Sequence, residues 1–309
     1  MCKEHIKALK QIIKLNNKNT LPILKCMCHS NGTLKATNLE QMVEVEIPTI
    51  ADGIWKDTAL DYGFRDDTKE TGWTIEDYPE VELKGLVQEV ELSEEDMAKI
   101  IRASEFVSKD TTRPVLTGVV LKGGNIYATD GYKMYRNKME NELTDTINLP
   151  TECIKILKAV KADKQGTWVV SVYENEQVVF THGKFRLYTK TIYGGTPEYD
   201  KVVGSDCYNY DIVVDMKQIK NAKDKVLWAD VEEKKLYLAN EDGTEKILIN
   251  ECVKEDQGEL PLSEHKEVVM PLTNKQQVVV SLEHMKAYKG KVRLFIDKVG
   301  ITPIRIVEL

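Results

Sequence analysis

The chain has 309 residues, enough for two or three domains that each bury a core. Its 43 Lys and Arg against 50 Asp and Glu give a net charge of −7, and its six cysteines are too scattered for a disulfide framework. No run approaches the roughly 18 apolar residues of a membrane span, and the N-terminus lacks a signal-peptide core, so we expect a soluble cytoplasmic protein with no membrane partner.

The first predicted element is a helix over residues 3–18. Ile6, Leu9 and Ile13 recur at helical spacing, which is typical of an amphipathic helix. The lysines follow at steps of four, three and four and therefore share one face, with Lys18 just beyond. The four lysines of this stripe are Lys3, Lys7, Lys10 and Lys14.

Residues 19–38 and 111–130 repeat each other in register. Both contain Pro-x-Leu, then a glycine, then Ala-Thr-Asx, and Pro22 and Pro114 are 92 positions apart, as are the other matching positions. A match in both residue type and spacing indicates an internal duplication. Residues 235–240 end in Ala-Asn after a strand-like run and form a weaker third copy.

Boundaries follow from a second recurring pattern, a proline followed by glutamate. Pro79 and Pro197 are 118 positions apart, against 92 for the starts of the copies, so the first copy is shorter by the difference of 26 residues. We expect three domains, over residues 1–90, 91–204 and 205–309. The first is a shortened version of the others.

Each predicted domain mixes helices with more numerous strands. Ser93 followed by three acidic residues is a helix start, because side-chain oxygens and negative charge are favourable there. We expect α+β domains with antiparallel sheets covered on one side by helices. The helical segments are 93–109, 151–164, 215–225 and 281–290, and the strand segments are 115–121, 168–173, 177–181, 185–191, 278–280 and 292–296.

Positive charge is concentrated on the predicted helices. The five helical segments contain 18 Lys and Arg against 10 Asp and Glu, whereas the whole chain carries −7. A single lysine stripe is usually a solvated face. Because the lysine stripe recurs in successive copies, we interpret it as a surface that binds the phosphate backbone of duplex nucleic acid. Such binding does not depend on the base sequence. Besides the first stripe, the candidate contacts are Lys99, Arg102, Lys155, Lys158, Lys161, Lys217 and Lys220.

The sequence offers no catalytic or metal-binding motif. It contains no phosphate-binding G-x-x-x-x-G-K-[ST] loop and no H-E-x-x-H pair. Cys26, Cys28 and His29 have the composition of a metal site, but alternate positions on a strand point to one face, and a structural role is expected. We therefore expect a protein that is not an enzyme and needs no metal or cofactor.

Two strings then resemble a known family. Residues 113–121 (RPVLTGVVL) and 126–134 (IYATDGYKM) are similar to the central domain of the bacterial sliding clamps, the beta subunits of DNA polymerase III. Segments 92–106, 194–199 and 303–306 are also similar. The resemblance implies two protomers of three clamp-type domains closing head-to-tail into a ring around DNA, with helices lining the hole and sheets outside. The short first domain is expected of a member from a phage or mobile element.

The resemblance also implies contact residues. DNA contacts transfer to Lys18, Lys109 and Arg113. A groove for short peptides of the polymerase or the clamp loader transfers to Leu116, Thr129, Gly131, Tyr132, Lys133, Met134, Pro303, Ile304, Arg305 and Ile306, where Leu116 and Met134 would be apolar walls. Lys133 replaces a common arginine, and residues 307–309 extend past the usual chain end.

Ring closure requires an edge strand in the first domain. Trp73 and Ile75 alternate onto one face, and we expect them to form that strand and the homodimer interface. Lys223 and Asp224 replace an expected apolar pair on the partner surface, so the contact should be small and polar. The leading hypothesis is a sliding clamp that tethers the replicative polymerase. The alternative is a monomeric decoy that binds clamp-binding peptides without forming a ring.

Overall fold

The computed structural model describes residues 3–16, 21–160, 167–199, 210–219, 222, 225–230, 232–240, 242–251, 266–269, 272–274, 277–286, 288–296 and 304–308. The chain forms two compact units. The first comprises Met1–Ile101, Leu121–Gly124 and Met139–Tyr193, and the second comprises Arg102–Val120, Asn125–Lys138 and Gly194–Leu309. The division into three domains at 90/91 and 204/205 stays a prediction.

The described elements are short helices and a larger number of strands, and the described strands pair antiparallel. The α-helices are α1 (Lys3–Leu15), α2 (Ala59–Tyr62), α3 (Glu94–Ala103), α4 (Thr151–Ala159), α5 (Met216–Ile219) and α6 (Leu282–Met285). The strands of the first half are β1 (Cys26–Ser30), β2 (Thr33–Thr37), β3 (Gln41–Glu46), β4 (Gly53–Lys56), β5 (Lys69–Glu70), β6 (Leu86–Leu92), β7 (Gly118–Thr129) and β8 (Lys133–Pro150). Those of the second half are β9 (Trp168–Tyr173), β10 (Gln177–His182), β11 (Phe185–Lys190), β12 (Tyr210–Asp215), β13 (Val226–Asp230), β14 (Lys235–Ala239), β15 (Lys246–Glu251), β16 (Lys266–Val269), β17 (Leu272–Asn274), β18 (Gln277–Ser281), β19 (Lys291–Ile296) and β20 (Ile304–Glu308).

A nine-stranded sheet forms the body of the first unit. Its strand order is β5-β4-β1-β2-β3-β11-β10-β9-β6. Helix α1 packs on β2 and β3, α4 packs on β11, and the two helices contact each other. The sheet is therefore covered by a layer of two helices, as the antiparallel α+β prediction requires.

Two further sheets contain the C-terminal strands. A six-stranded sheet has the order β12-β19-β20-β16-β8-β7, and a five-stranded sheet has the order β15-β14-β13-β18-β17. Strand β20 pairs with β16 on one side and β19 on the other, and Ile306 within it is fully buried. The C-terminal segment is thus an interior strand.

The internal duplication is confirmed by matching strand ends. Strands β2 and β7 both end at the threonine of Ala-Thr-Asx, at Thr37 and Thr129, and β14 ends at Ala239, directly before Asn240. Pro22 and Pro114 each begin a 3-10 helix ahead of the repeated strands.

Several predicted elements are shorter than expected. Ser93 does cap α3, since its hydroxyl accepts a hydrogen bond from the backbone N–H of Asp96 at 3.1 Å, but the helix ends at Ala103. The predicted helix over 215–225 is helical only at α5, and that over 281–290 only at α6. Strand β7 begins at Gly118 because the 3-10 helix at Pro114–Leu116 precedes it.

The predicted edge strand at residues 73–75 is wrong. Ile75–Asp77 form a 3-10 helix, because the Asp77 carboxylate accepts hydrogen bonds from both the backbone N–H and the hydroxyl of Thr74. Trp73 and Ile75 instead pack against a buried cluster that contains Tyr78. The edge of the nine-stranded sheet next to β4 is instead formed by β5, a strand of two charged residues. A short charged strand is a common protection of a sheet edge.

Among the described residues, no helix has both the length and the apolar character needed to cross a membrane.

Candidate functional site

The helical layer of the first unit carries a basic surface. Six lysines of α1 and α4 have exposed side chains: Lys3, Lys7, Lys10, Lys14, Lys155 and Lys158. On α1 the opposite face is apolar, with Ala8, Leu9, Ile12 and Ile13 buried. The sheet therefore holds the apolar face of each helix and turns the lysines toward solvent. We call this set of six residues the helical lysine surface.

Acidic side chains offset only part of this charge. Lys10 forms an ion pair with Asp61, and the Nζ of Lys155 lies 3.4 Å from a carboxylate oxygen of Glu152. Within the described part of the chain, no carboxylate lies within ion-pair distance of Lys7, Lys14 or Lys158. Their charge is available to a phosphate group.

Two of the predicted DNA contacts are instead engaged within the protein. The Lys99 side chain is 12% exposed and pairs with Glu95 at 2.8 Å, and Arg102 is 17% exposed and pairs with Glu105 at 2.6 Å. Lys99 also lies 3.6 Å from the buried Asp96. These acidic partners stand three or four positions away on the helix or just beyond it, which favours pairing within the element. The prediction that Lys99 and Arg102 are exposed for contact with phosphate groups is therefore wrong.

The remaining predicted DNA contacts have mixed outcomes. Lys109 and Lys217 are exposed, and Arg113 is half exposed and bound to Asp110 at 2.9 Å. Lys18, Lys161 and Lys220 lie outside the described residues.

Strand pairing in the second unit brings the predicted groove residues together. Strand β16 lies between β8 and β20, so that Lys133, Val269 and Ile304 form one row, and Met134, Val268 and Arg305 form the next. Because neighbouring strands are about 4.8 Å apart, Lys133 and Ile304 are separated by roughly 10 Å. Residues some 170 positions apart in sequence thus share one small region of a sheet.

The groove residues near β7 and β8 differ in exposure. Tyr132 is 59% exposed and Gly131 is exposed, whereas Leu116 and Thr129 are partly buried. Met134 is 1% exposed and belongs to a buried cluster with Tyr127 and Tyr199. Met134 is therefore a core residue beneath this region, and its burial does not agree with its prediction as an apolar wall of the groove. Pro303 lies outside the described residues.

Sequence reasoning missed Phe106, a buried ring between two cations. The Arg102 guanidinium lies 5.0 Å from the ring centroid, and the Lys133 Nζ lies 5.5 Å from it. Cation–π attraction of this kind holds a positive charge in place. Phe106 lies in the predicted helical segment 93–109, but helical spacing carries no information on the two cations beside its ring.

The cysteine pair on β1 has a structural role. Cys26 and Cys28 are both buried against Ile54 and Tyr78, and burial raises the pKa of each thiol to about 11. His29 points to the other side and shares hydrogen bonds of 3.0 Å with Asp52 and with the carbonyl of Ile47. Within the described ranges, no three His, Cys, Asp or Glu side chains are arranged to hold a metal ion.

Known proteins similar to this chain are sliding clamps. The chain is 25% identical over 191 residues to the beta sliding clamp of Streptococcus pneumoniae serotype 4, a match that covers 59% of this chain and 48% of the relative. The matched region thus spans about half the length of that curated relative. No protein-family model matches the chain.

Solved structures extend the likeness to the whole fold. The beta subunit from DNA polymerase of Streptococcus pyogenes superimposes with a TM-score of 0.69 and 16% identity, covering 98% of this chain and 96% of that one. A Pseudomonas aeruginosa sliding clamp bound to griselimycin gives a TM-score of 0.67 and 17% identity, with coverage of 98% and 96%. The chain has the DNA polymerase III beta clamp fold.

Proposed function

We propose that this chain is a sliding clamp, a non-catalytic protein that encircles duplex DNA and tethers a replicative polymerase. The observation that carries the proposal is the helical lysine surface, which lies on two helices packed together over a sheet of the clamp fold. Similarity to proteins named beta sliding clamp supports it. The decoy alternative receives no such support.

The charge distribution suits this task. An acidic protein of net charge −7 is repelled by DNA unless a local surface is basic, and the helical lysine surface supplies that local charge. Lysine contacts to phosphate carry no sequence information, because every nucleotide presents the same phosphate. A grip of this kind lets a protein move along the duplex, which is what a tether for a moving polymerase requires.

We propose that the groove region binds the polymerase, which is the second part of the proposed function. Tyr132 is exposed directly before Lys133, which lies in one row with Val269 and Ile304, and Leu116 is partly buried. We assign apolar contacts with a bound peptide to Tyr132 and Leu116. An extended peptide with a Leu or Phe anchor suits such a surface. We assign to it the short peptides of a polymerase and of clamp-loader subunits.

A ring requires a second copy of the chain. Strand β15 ends the five-stranded sheet, and Ile247 and Leu248 within it are 59% and 47% exposed. An exposed apolar edge strand favours pairing with another strand. The homodimer contact is assigned to β15, in place of the predicted strand at Trp73 and Ile75.

Salt-dependent DNA binding tests the proposal. Binding of a fluorescent 30-base-pair duplex is measured between about 25 and 200 mM salt for wild type and for Lys7→Glu/Lys14→Glu/Lys158→Glu. Each phosphate contact contributes about 0.9 to the log–log slope, so the triple variant should lose up to about 2.7 of it. Two duplexes of unrelated sequence should bind equally.

The matched control reverses three exposed lysines outside the helices. Lys56 ends β4, Lys122 lies in β7 and Lys184 lies in the β10–β11 turn. The variant Lys56→Glu/Lys122→Glu/Lys184→Glu has the same net charge as the test variant and should keep most of the wild-type slope. Equal slopes for the two variants would contradict the assignment of DNA to the helical lysine surface.

A further inference from the structure

Phe106 is a fully buried ring at the beginning of the loop that follows α3. Its side chain is 0% exposed. Its ring centroid lies 5.4 Å from that of Tyr135 in a tilted arrangement and 5.7 Å from that of Tyr288 in an edge-to-face arrangement. Aromatic pairs at such separations attract each other beyond the area that they bury. Tyr135 and Tyr288 therefore fix the position of the Phe106 ring.

The ammonium group of Lys133 lies near both this ring and a carboxylate. Its Nζ is 5.5 Å from the Phe106 ring centroid and 3.8 Å from Oδ2 of Asp130. The Lys133 side chain is only 14% exposed, whereas lysine side chains usually extend into solvent. A cation that has lost most of its water is attracted more strongly by a ring face and by a carboxylate. Phe106 and Asp130 thus hold the Lys133 side chain in one position.

Asp130 shapes the turn that presents Tyr132 to solvent. Its Oδ1 accepts hydrogen bonds of 2.9 Å from the backbone N–H groups of Tyr132 and Lys133, while its Oδ2 faces the Lys133 ammonium. Tyr132 is 59% exposed and belongs to the predicted groove. Because one carboxylate makes all these contacts, a change in the position of the Lys133 ammonium rotates the group that fixes the backbone of Tyr132.

The loop after Phe106 supports a second groove residue. The backbone N–H of Ser108, two positions after Phe106, donates to the carbonyl of Leu116 at 2.8 Å, and Ser108 is 6% exposed. The N–H of Leu116 in turn donates to the carbonyl of Arg113 at 3.0 Å, which closes the 3-10 helix. A buried backbone hydrogen bond is costly to break, so Leu116 keeps a fixed position relative to Phe106.

We propose that Phe106 is a positioning residue of the peptide groove. It fixes Tyr132 through the ammonium of Lys133, and it fixes Leu116 through the backbone of the loop. This role rests on the proposed peptide binding and belongs to a residue that the peptide cannot touch, because Phe106 is fully buried. A groove whose walls are held in place before binding loses less conformational entropy when a peptide binds, and this raises affinity.

Peptide affinity measured by fluorescence anisotropy tests this role. The probe is a fluorescein-labelled Leu/Phe-bearing clamp-binding peptide, and a urea melt is recorded for each variant. Phe106→Leu keeps an apolar side chain but removes the ring that attracts Lys133. The peptide dissociation constant should rise about fivefold, which corresponds to the loss of one cation–π contact.

Phe180→Leu is the matched control. Phe180 is also 0% exposed and lies in β10 of the first unit, so the substitution removes the same atoms from a core position. Both variants should lower the urea midpoint, because each leaves a small cavity. The control should bind peptide within about twofold of wild type, because lost packing at a separate site acts on stability and not on the groove. A purely structural role of Phe106 would make the two variants indistinguishable in peptide binding.

A double-mutant cycle tests the step through Lys133. Lys133→Met removes the ammonium but keeps a long side chain, and it should raise the dissociation constant by about the same factor as Phe106→Leu. The double variant should be weaker than either single variant by less than about twofold, because both changes interrupt one contact. Factors that multiply in the double variant would contradict the positioning of Tyr132 through Lys133.

Solution NMR of the wild type tests the geometry without a substitution at Phe106. The ε-methylene protons of Lys133 lie near an aromatic ring face and should resonate upfield of those of the exposed Lys109. This ring-current shift should vanish in Phe106→Leu. Lys133 protons with the chemical shift of an exposed lysine in the wild type would overturn the proposal, even where Phe106→Leu does not fold.

The outcomes separate this role from the proposed function. Wild-type peptide binding that Phe106→Leu leaves unchanged overturns the positioning role and leaves the groove in place. A wild type that binds no peptide overturns the groove and the positioning role together.

Discussion

Asn38 and Asp130 occupy the same position in two turns that are 92 residues apart. The side-chain oxygen of Asn38 accepts hydrogen bonds from the N–H groups of Glu40 and Gln41, and that of Asp130 accepts from Tyr132 and Lys133. Such an Asx turn ends one strand and starts the next. The duplication is therefore preserved at the level of individual hydrogen bonds.

The two turns differ at the following residue, which gives a stability prediction. Leu39 has φ of +76°, a conformation that is costly for a side chain, whereas Gly131 adopts φ of +93° without that cost. Leu39→Gly should raise the free energy of unfolding by about 1 kcal/mol in urea melts. The control Leu83→Gly, at an exposed position without positive φ, should lower it. Destabilisation by Leu39→Gly equal to the control would refute strain at this turn.

The buried thiols predict a stability loss at alkaline pH. Burial raises the pKa of Cys26 and Cys28 to about 11, so the folded state disfavours their thiolates. Because the thiol pKa is higher in the folded state, the thiols contribute their full stabilisation below the unfolded-state pKa near 9. This stabilisation is lost as the pH rises toward the folded-state pKa of about 11. Urea unfolding at pH 8, 9, 10 and 11 should therefore show decreasing stability. The Cys26→Val/Cys28→Val variant should decline less steeply, and an identical decline would exclude the thiols as a cause.

The last strand is essential to the second unit. Strand β20 pairs on both sides within the six-stranded sheet and buries Ile306, so removal of residues 304–309 should abolish cooperative unfolding of that unit. Removal of Leu309 alone should have little effect, since β20 ends at Glu308. A truncated protein with the wild-type melting curve would contradict an interior position for β20.

Peptide binding should depend on the exposed part of the groove. Leu116→Glu places a charge on a partly buried apolar position and should weaken binding of a Leu/Phe-bearing clamp-binding peptide at least tenfold in fluorescence anisotropy. Tyr132→Ala should weaken it less, because Tyr132 is more exposed. Tyr193→Ala is the control and should bind as wild type does. Unchanged affinity in Leu116→Glu would place the peptide elsewhere.

Much of the fold could be predicted from local patterns in the sequence. The helical spacing of Leu9 and Ile13 placed one face of α1 against the sheet, and the lysines fell on the other face, as the structure has them. The predicted strand over 168–173 agrees with β9. Both depend on a residue and its near neighbours, and short-range periodicity records such relationships.

Errors arose where a different short-range interaction prevailed. Thr74 and Asp77 form a cap for a 3-10 helix, a Thr-x-x-Asp signal that alternation of Trp73 and Ile75 obscured. Lys99 was predicted to contact DNA, but Glu95 stands four positions before it and pairs with it. The burial of Met134 and the pairing of β16 with β20 depend on distant segments, and no local pattern encodes them.

The central claim is that the protein encloses DNA. A nicked circular plasmid is incubated with wild type at low salt, passed over a gel-filtration column at about 0.5 M salt, and compared with the same plasmid after a single restriction cut. At that salt the phosphate contacts are largely screened, so only a closed ring should stay bound. The account predicts protein retained on the circle and lost from the linear form. Equal retention on both forms would contradict it.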